Sequence, residues 1–136
     1  MSPSLSQMAD PMKMTGMRGA VKNVLNALEN QQKITRYGDY DADGLTATAL
    51  LLNFFSALHA DVDAYIPDRL TEGYGLNADA IRSIATKGTG LLITVDCGIS
   101  GVEESTLAMD LGMGVVITDH HQVPPRSTHA CPVINP

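Results

Sequence analysis

The sequence has 136 residues, 44% of them hydrophobic, and a mean hydropathy of +0.02, which together indicate a soluble globular chain long enough for one domain with a core. Nine Lys and Arg residues against 15 Asp and Glu residues give a net charge of −6, unlike the basic face of most nucleic-acid binders. The negative charge is only weak evidence against a nucleic-acid partner. Five acids fall in segments interpreted below as a metal site, and the other ten nearly balance the nine bases.

The cysteine content favours a reducing compartment. Cys97 and Cys131 are too few and too isolated for a disulfide framework or a cysteine-rich zinc site. The first twenty residues lack the continuous apolar core of an export signal. No apolar run approaches the roughly 20 residues that span a bilayer. We therefore expect a cytoplasmic protein without a membrane segment.

The first half of the chain is expected to begin with a partly ordered lead-in at 1–15, rich in Ser, Pro and Met, before a domain over 16–136. Apolar residues from Met17 to Leu28 recur at i, i+3, i+4 and i+7, which predicts an amphipathic helix. A short strand is predicted at 34–37. The segment 45–58 has apolar residues on more than one helical face, which predicts a well-buried helix.

The rest of the chain continues the alternation of strands and helices. Strands are predicted at 62–66, 91–95, 115–118 and 132–134, and helices at 78–85 and 102–111. This alternation indicates the α/β class, a mostly parallel sheet flanked by helices with a Rossmann-like architecture. Functional groups in such sheets gather at the carboxyl ends of the strands. The polar clusters after strands one, three and four are therefore expected to meet at one edge.

The first cluster places Asp39, Asp41 and Asp43 on alternate residues after the first predicted strand. Like charges 4 Å apart repel by about 4 kcal/mol per pair at a surface-like dielectric, and a divalent cation would neutralise them. The segment also fits the start of a calcium-binding EF-hand loop, but Leu50 stands where that loop needs its last Glu. A solvated turn in which Asp43 caps the next helix is the other alternative.

Two further clusters follow later strands. Asp96 ends an apolar strand, and Ser100 leads into a helix amino terminus whose N–H groups could hold a phosphate oxygen. A simple helix cap is the alternative for Asp96. Asp119, His120 and His121 combine carboxylate with imidazole, a set that suits manganese, iron or zinc, and the Asp can orient a His ring. A pair of exposed histidines is the alternative there.

Arg69 lies in the loop after the second predicted strand, at the same expected edge, with Gly73 and Gly75 close by. Its guanidinium is a candidate phosphate ligand, with an ordinary surface Arg as the alternative. His59 and His129 have no comparable context, and we expect them to be structural or surface residues.

Four segments in this order resemble the DHH phosphoesterase superfamily, which is named for the motif Asp119-His120-His121. The segments are YGDYDADGLTATALL (37–51), IPDRLTEGYGLN (66–77), ITVDCGIS (93–100) and ITDHH (117–121). Together with the terminal VINP (133–136), they are most similar to the RecJ-like single-strand-specific DNA exonucleases. The resemblance covers roughly residues 10–136, and several independent motifs carry it.

This resemblance implies a hydrolase of phosphodiester bonds, an exonuclease that digests single-stranded DNA 5′ to 3′ in DNA repair and recombination. It implies two-metal hydrolysis with Mn²⁺ or Mg²⁺. Single-stranded DNA would be the substrate, and a helicase or a single-strand-binding protein would be the partners.

The resemblance also implies a role for each matched residue. The implied metal ligands are Asp41, Asp43, Asp96 as the bridge between both ions, His120 and, as an additional candidate, Asp39. His121 would contact the scissile phosphate or assist a ligand, so that Asp96, His120 and His121 form the catalytic set. Asp119 would orient a histidine, while Arg69 and Tyr74 would lie along the nucleic-acid path.

The resemblance finally implies a truncated domain. Proteins of this kind continue well beyond the Asn-Pro block, with another metal-binding aspartate and a second, DHH-associated domain. We therefore expect this chain to carry most of the metal site, and nuclease activity to belong to a longer protein. Two alternatives are a DHH phosphodiesterase for oligonucleotides or cyclic dinucleotides, and a non-catalytic remnant that binds nucleic acid or protein.

Overall fold

Ten short helices and strands follow one another along the described part of the chain. The computed structural model describes residues 9–68, 70, 73–125 and 127–136. The elements are a 3₁₀ helix (Pro11–Lys13), α1 (Met17–Glu29), β1 (Lys33–Gly38), α2 (Ala42–Ala57), β2 (Val62–Tyr65), α3 (Ala78–Thr86), β3 (Thr89–Val95), α4 (Val102–Asp110), β4 (Gly114–Thr118) and β5 (Val133–Ile134). Arg69, a predicted phosphate ligand, lies outside the described residues.

The strands form one sheet in the order β2-β1-β3-β4-β5, and every neighbouring pair is parallel. Helices α1 and α2 cover one face, while α3 and α4 cover the other. The predicted α/β class with a parallel sheet flanked by helices is therefore confirmed, and its order is one of the two common doubly wound orders.

The central strand β3 shows why the sequence folds this way. Its side chains alternate between the two cores: Leu91 and Ile93 pack toward α1 and α2, and Leu92 packs toward α3 and α4. Because both faces are covered, the strand needs a continuous apolar run instead of an alternating pattern. A polar side chain caps the helix that precedes this strand. Asn77 accepts a hydrogen bond from the N–H of Ala80 at 2.7 Å and so caps α3.

The burial predicted for the second helix is wrong. Only Gly44, Thr48 and Phe55 of α2 are buried, and its outer surface carries apolar side chains that are 37–67% exposed, namely Leu45, Leu50, Leu52 and Phe54. One face of α2 lies on the sheet, and none of the described residues covers the other. Composition alone could not distinguish a helix buried all round from one with an uncovered apolar face.

A buried arginine joins α2 to the sheet. Arg36 of β1 is fully buried and donates from Nη1 to the carbonyl of Thr48. Its Nε and Nη2 also donate to the carbonyl of Asp63 at 3.2 and 3.1 Å. Burial lowers the pKa of Arg36, and these carbonyls supply the acceptors that a buried guanidinium needs.

The segment before α1 packs on the domain in its described part. Asp10 caps the 3₁₀ helix by accepting from the N–H of Met12 at 2.9 Å, and Met14 packs against the core beneath α1. Gly16 lies so close to β5 that a Cβ would stand 2.0 Å from the carbonyl oxygen of Val133. None of the described helices has the length and apolar character needed to cross a membrane.

Candidate metal centre

Three aspartates, Asp39, Asp96 and Asp119, follow strands β1, β3 and β4 at the carboxyl edge of the doubly wound sheet, which reverses its direction of winding between β1 and β3. The chain places β2 on one side of β1 and β3 on the other, which leaves a crevice beyond the carboxyl ends of β1 and β3. The N–H of Asp39 donates to the carbonyl of Val95 at 3.3 Å, that of Asp96 to Thr118 at 3.0 Å and that of Asp119 to Ile134 at 3.1 Å. Each aspartate thus extends the ladder by one residue and is held at one edge.

Asp96 has the most unusual environment in this crevice. Its backbone has a φ of +62°, in the left-handed region that Asp tolerates better than most residues. It is 8% exposed, and its carboxylate oxygens accept no aligned hydrogen bond from the described residues. His120 Nε2 lies 2.8 Å from Oδ1 as an ion-pair contact. Burial, followed by the charge of Asp41, raises the pKa of Asp96.

A group of carboxylates surrounds one side of Asp96. One oxygen each of Asp39, Asp41 and Asp96 lies within 4.8 Å of the others. Asp39 is buried and accepts from the N–H of Tyr40 at 2.7 Å. Asp41 caps α2 by accepting from the N–H of Gly44 at 2.9 Å, and this bond lowers the pKa of Asp41.

Close backbone packing holds these carboxylates together. A Cβ on Gly44 would stand 2.5 Å from the carbonyl oxygen of Asp39, so only glycine lets the first turn of α2 approach the end of β1. Asp43 is exposed in that same turn. It lines the same cleft as Asp96 and His120 but stands outside the carboxylate group.

A second group joins Asp96 to the two histidines, with ligand atoms of Asp96, His120 and His121 within 4.8 Å of one another. Asp119 holds the two histidines of this group through hydrogen bonds. Its Oδ1 accepts from the N–H groups of His120 and His121 at 2.7 and 3.0 Å and lies 2.7 Å from His121 Nδ1. Its Oδ2 accepts from the N–H of Ile99 at 2.9 Å.

These hydrogen bonds set the charges of the Asp119–His121 pair. Burial alone would raise the pKa of Asp119, but the N–H groups of His121 and Ile99 outweigh it and lower that pKa. The hydrogen bond to Asp119 raises the pKa of His121. Because a carboxylate can only accept, His121 Nδ1 carries a proton and Nε2 is left with a lone pair in the neutral ring.

The other predicted site residues lie at different distances from this centre. Tyr74 is half exposed, and its hydroxyl lies 3.1 Å from His121 Nδ1 with the two rings edge to face at 5.6 Å. Burial raises the pKa of Tyr74. Ser100 is exposed just before α4 and lines a different cleft, with Pro124 and Ser127.

The sequence did not predict two contacts of the metal centre. Asn135 donates from Nδ2 to the carbonyl of His121 at 2.9 Å, and the backbone N–H of Ile99 holds Asp119. Asn135 had a sequence signal, because it lies in the VINP segment that contributes to the family resemblance, although no role was assigned to it there. The contact of Ile99 had no sequence signal, since it involves only the main chain.

The donor set fits divalent metal ions. Carboxylates and imidazoles are the ligands of manganese and related ions, and carboxylates with water suit magnesium. Asp96 belongs to both groups, and its buried oxygens, which accept no aligned hydrogen bond, are suited to a positive partner in addition to the His120 contact. One carboxylate shared by two ligand groups would suit a pair of divalent ions.

Fold and site together define a class: a doubly wound α/β domain whose switch point holds a candidate carboxylate-histidine metal centre. The chain matches the DHH family, N-terminal domain, over residues 33–136. It therefore belongs to the DHH family, and the following comparisons show that it is similar to RecJ proteins.

Curated relatives carry the name single-stranded-DNA-specific exonuclease RecJ. The protein from Bacillus subtilis strain 168 is 47% identical over 127 residues, which are 93% of this chain and 16% of the relative. The protein from Haemophilus influenzae is 37% identical over 134 residues, 98% of this chain and 23% of the relative. The chain thus spans only about a fifth of the length of these relatives.

Solved structures give the same result. A crystal structure of exonuclease RecJ bound to manganese superposes with a TM-score of 0.85 and 37% identity, covering 95% of this chain and 33% of the other. RecJ from Thermus thermophilus in complex with Mn²⁺ superposes with a TM-score of 0.79 and 32% identity, covering 96% and 18%. The chain therefore shares the fold of manganese-binding RecJ proteins.

Proposed function

We propose that this chain supplies most of the metal site of a RecJ-like exonuclease that digests single-stranded DNA 5′ to 3′ in the cytoplasm, in DNA repair and recombination. The observation that carries the proposal is Asp96, a buried carboxylate without an aligned hydrogen-bond partner that belongs to both candidate ligand groups. The homology to RecJ supports the substrate class. The manganese-bound structures of similar proteins support Mn²⁺, or Mg²⁺, as the cofactor.

The metal ligands in this proposal are Asp39, Asp41 and Asp96 on one side and Asp96 with His120 on the other. Asp43 remains a candidate ligand, because it lines the same cleft at the first turn of α2. When bound, two divalent ions would supply an activated water and neutralise charge on the leaving oxygen. Asp96 would hold the two sites at a fixed separation.

His121 is the proposed contact to the scissile phosphate or to a ligand. Asp119 fixes the ring through Nδ1. Nε2, which lies 3.5 Å from the Tyr74 hydroxyl, can bind a metal ion through its lone pair or, when protonated, donate to a phosphate oxygen. Asp119 itself is the orienting residue, because its side chain is fully buried and receives hydrogen bonds on both oxygens.

The proposed substrate path includes Tyr74, Arg69 and Ser100. The half-exposed ring of Tyr74 beside His121 suits stacking on an unpaired base, which is how many single-strand binders hold DNA. With a net charge of −6, the protein depends on bound cations and on these few groups to attract a phosphate backbone.

Manganese titration tests the proposal. Isothermal calorimetry of the 136-residue protein should show Mn²⁺ binding that is lost in an Asp96→Ala, His120→Ala double variant. The matched control is Asp61→Ala, His59→Ala, which removes the same residue types at the opposite end of the sheet and should bind as the parent does. Unchanged binding in the first double variant would exclude this metal site.

Hydrolysis assays then separate the candidate activities. With Mn²⁺, a longer protein that contains this same domain should release nucleotides from the 5′ end of a labelled single strand. Cleavage of dinucleotides in preference to long strands would favour the DHH phosphodiesterase alternative. Metal binding with no hydrolysis of either substrate would favour a non-catalytic remnant that binds nucleic acid or protein.

A further inference from the structure

Two side chains that follow His120 and His121 in the chain converge on one backbone carbonyl. Ser127 Oγ donates to the carbonyl of Ile99 at 2.6 Å, and His129 Nε2 lies 3.0 Å from the same oxygen. Since a carbonyl only accepts, His129 Nε2 carries a proton and donates it to this bond. The segment that returns to β5 after the two site histidines is thus tied to the turn after β3.

The same residue is held from its other side by the metal centre. The N–H of Ile99 donates to Asp119 Oδ2 at 2.9 Å, and Asp119 Oδ1 orients His121. Ile99 is buried and follows Asp96 by three residues. A shift of the Ile99 backbone would therefore move the acceptor that aligns His121 and the turn that carries Asp96.

His129 is anchored at its far nitrogen. Nδ1 lies 3.0 Å from the hydroxyl of Ser105, which is fully buried in α4 and also lies 2.9 Å from the carbonyl of Val102. In the ring that carries its proton on Nε2, Nδ1 is an acceptor, so the single hydroxyl proton of Ser105 is shared between Nδ1 and the carbonyl of Val102. Both ring nitrogens thus have partners, and the half-buried ring forms a fixed bridge from α4 to Ile99.

We propose that His129 is a positioning residue of the metal centre, which acts through Ile99 on Asp119 and so on His121. The inference rests on the proposed function, because it assigns His129 a role in holding the same ligands. Outer partners that orient a ligand commonly contribute about 10- to 100-fold to metal affinity. His129 was expected to be only a structural or surface residue, and its place in this chain of bonds gives it a measurable role.

The test compares two replacements of similar size. His129→Gln keeps an N–H donor near the position of Nε2, whereas His129→Leu removes it. By calorimetry, we expect Mn²⁺ to bind about tenfold more weakly to His129→Leu and within about twofold of the parent to His129→Gln. His59→Asn, at an exposed histidine on the opposite end of the sheet, should bind as the parent does. Circular dichroism establishes that each variant is folded.

Equal Mn²⁺ affinity in His129→Leu and the parent would overturn the proposal. If His129→Leu does not fold, Ser105→Ala decides the matter, because it removes the anchor of the ring and should also weaken binding. If the parent itself binds no Mn²⁺, the proposed function fails, and hydrogen exchange of the Ile99 amide decides the positioning role. Faster exchange in His129→Leu than in His129→Gln would then support it, and equal exchange would refute it.

Discussion

At the scale of single residues, Asp96 is held in a state that favours ligand binding over stability. A buried carboxylate without an aligned hydrogen-bond partner, at a positive φ, costs the folded protein free energy. The raised pKa of Asp96 has the same meaning, because burial disfavours its charged form. Such groups are common where a protein binds a cation.

Replacing Asp96 with asparagine should separate the two effects. Asp96→Asn keeps the shape and the tolerance of a positive φ but removes the charge. We expect the metal-free protein to gain about 0.5–2 kcal/mol in its free energy of unfolding, and Mn²⁺ affinity to fall by at least about tenfold. Urea unfolding and calorimetry measure these changes. Asp61→Asn, at an exposed position, is the control, and a less stable Asp96→Asn would contradict the argument.

Asp119, unlike Asp96, is stabilised in its charged form by its surroundings. Four hydrogen bonds stabilise its charged form and lower its pKa below that of the unfolded chain. A carboxyl group with a lowered pKa in the folded state contributes stability above its unfolded pKa of about 3.9. This contribution is lost as the pH falls through the folded pKa.

The variant Asp119→Asn should therefore be less stable in a manner that depends on pH. The amide nitrogen of the asparagine is a donor and would face the N–H donor of Ile99 or those of the two histidines. Leaving these donors without an acceptor should lower the free energy of unfolding by about 1–3 kcal/mol near pH 7. The deficit should shrink below about pH 4, where the parent loses the contribution of the carboxylate. Urea unfolding of both proteins at neutral and acidic pH measures the difference, and a deficit that is independent of pH would contradict the assignment.

At the scale of elements, the site depends on how closely α2 approaches β1. Gly44→Ala would place a Cβ 2.5 Å from the carbonyl oxygen of Asp39, and backbone cannot move as a flexible side chain can. We expect a loss of about 1–3 kcal/mol in stability and weaker Mn²⁺ binding, because Asp41 caps this same turn. Gly19→Ala in α1, which would meet the ring of Pro132 at 3.1 Å, is the control. Equal effects of the two variants on Mn²⁺ affinity would contradict this view.

The elements also show what the sequence could and could not predict. Hydrophobic periodicity located every strand and helix of the doubly wound sheet, because alternation of short apolar runs and amphipathic helices has few other solutions. Spacing could not predict which aspartates gather. Alternate residues share a side only while the chain is extended, and α2 begins at Ala42, so Asp43 turns with the helix while Asp39 stays at the end of β1.

At the scale of the whole molecule, an apolar cleft of about 470 Å³ lies between α1 and α2 on the outer side of the sheet. Leu25, Phe54 and Leu58 line it and are each 50–53% exposed. Contiguous apolar surface of this kind usually marks a contact with other protein or a site of association. This exposed apolar surface explains why the prediction of a buried α2 was wrong. The composition of α2 suits a helix that is covered on both sides, but one of its apolar faces is uncovered among the described residues.

This surface should control the solution behaviour of the 136-residue protein. We expect the dye ANS to bind the cleft and the protein to associate at high concentration. The double variant Leu25→Gln, Phe54→Gln should lower ANS fluorescence by about half and shift sedimentation toward the monomer, with less than about 0.5 kcal/mol change in stability for each exposed position. Leu50→Gln is the matched control, because Leu50 is 67% exposed but lies outside the residues that line the cleft. An equal loss of ANS fluorescence in Leu50→Gln would show that general surface hydrophobicity, and not this cleft, drives the association.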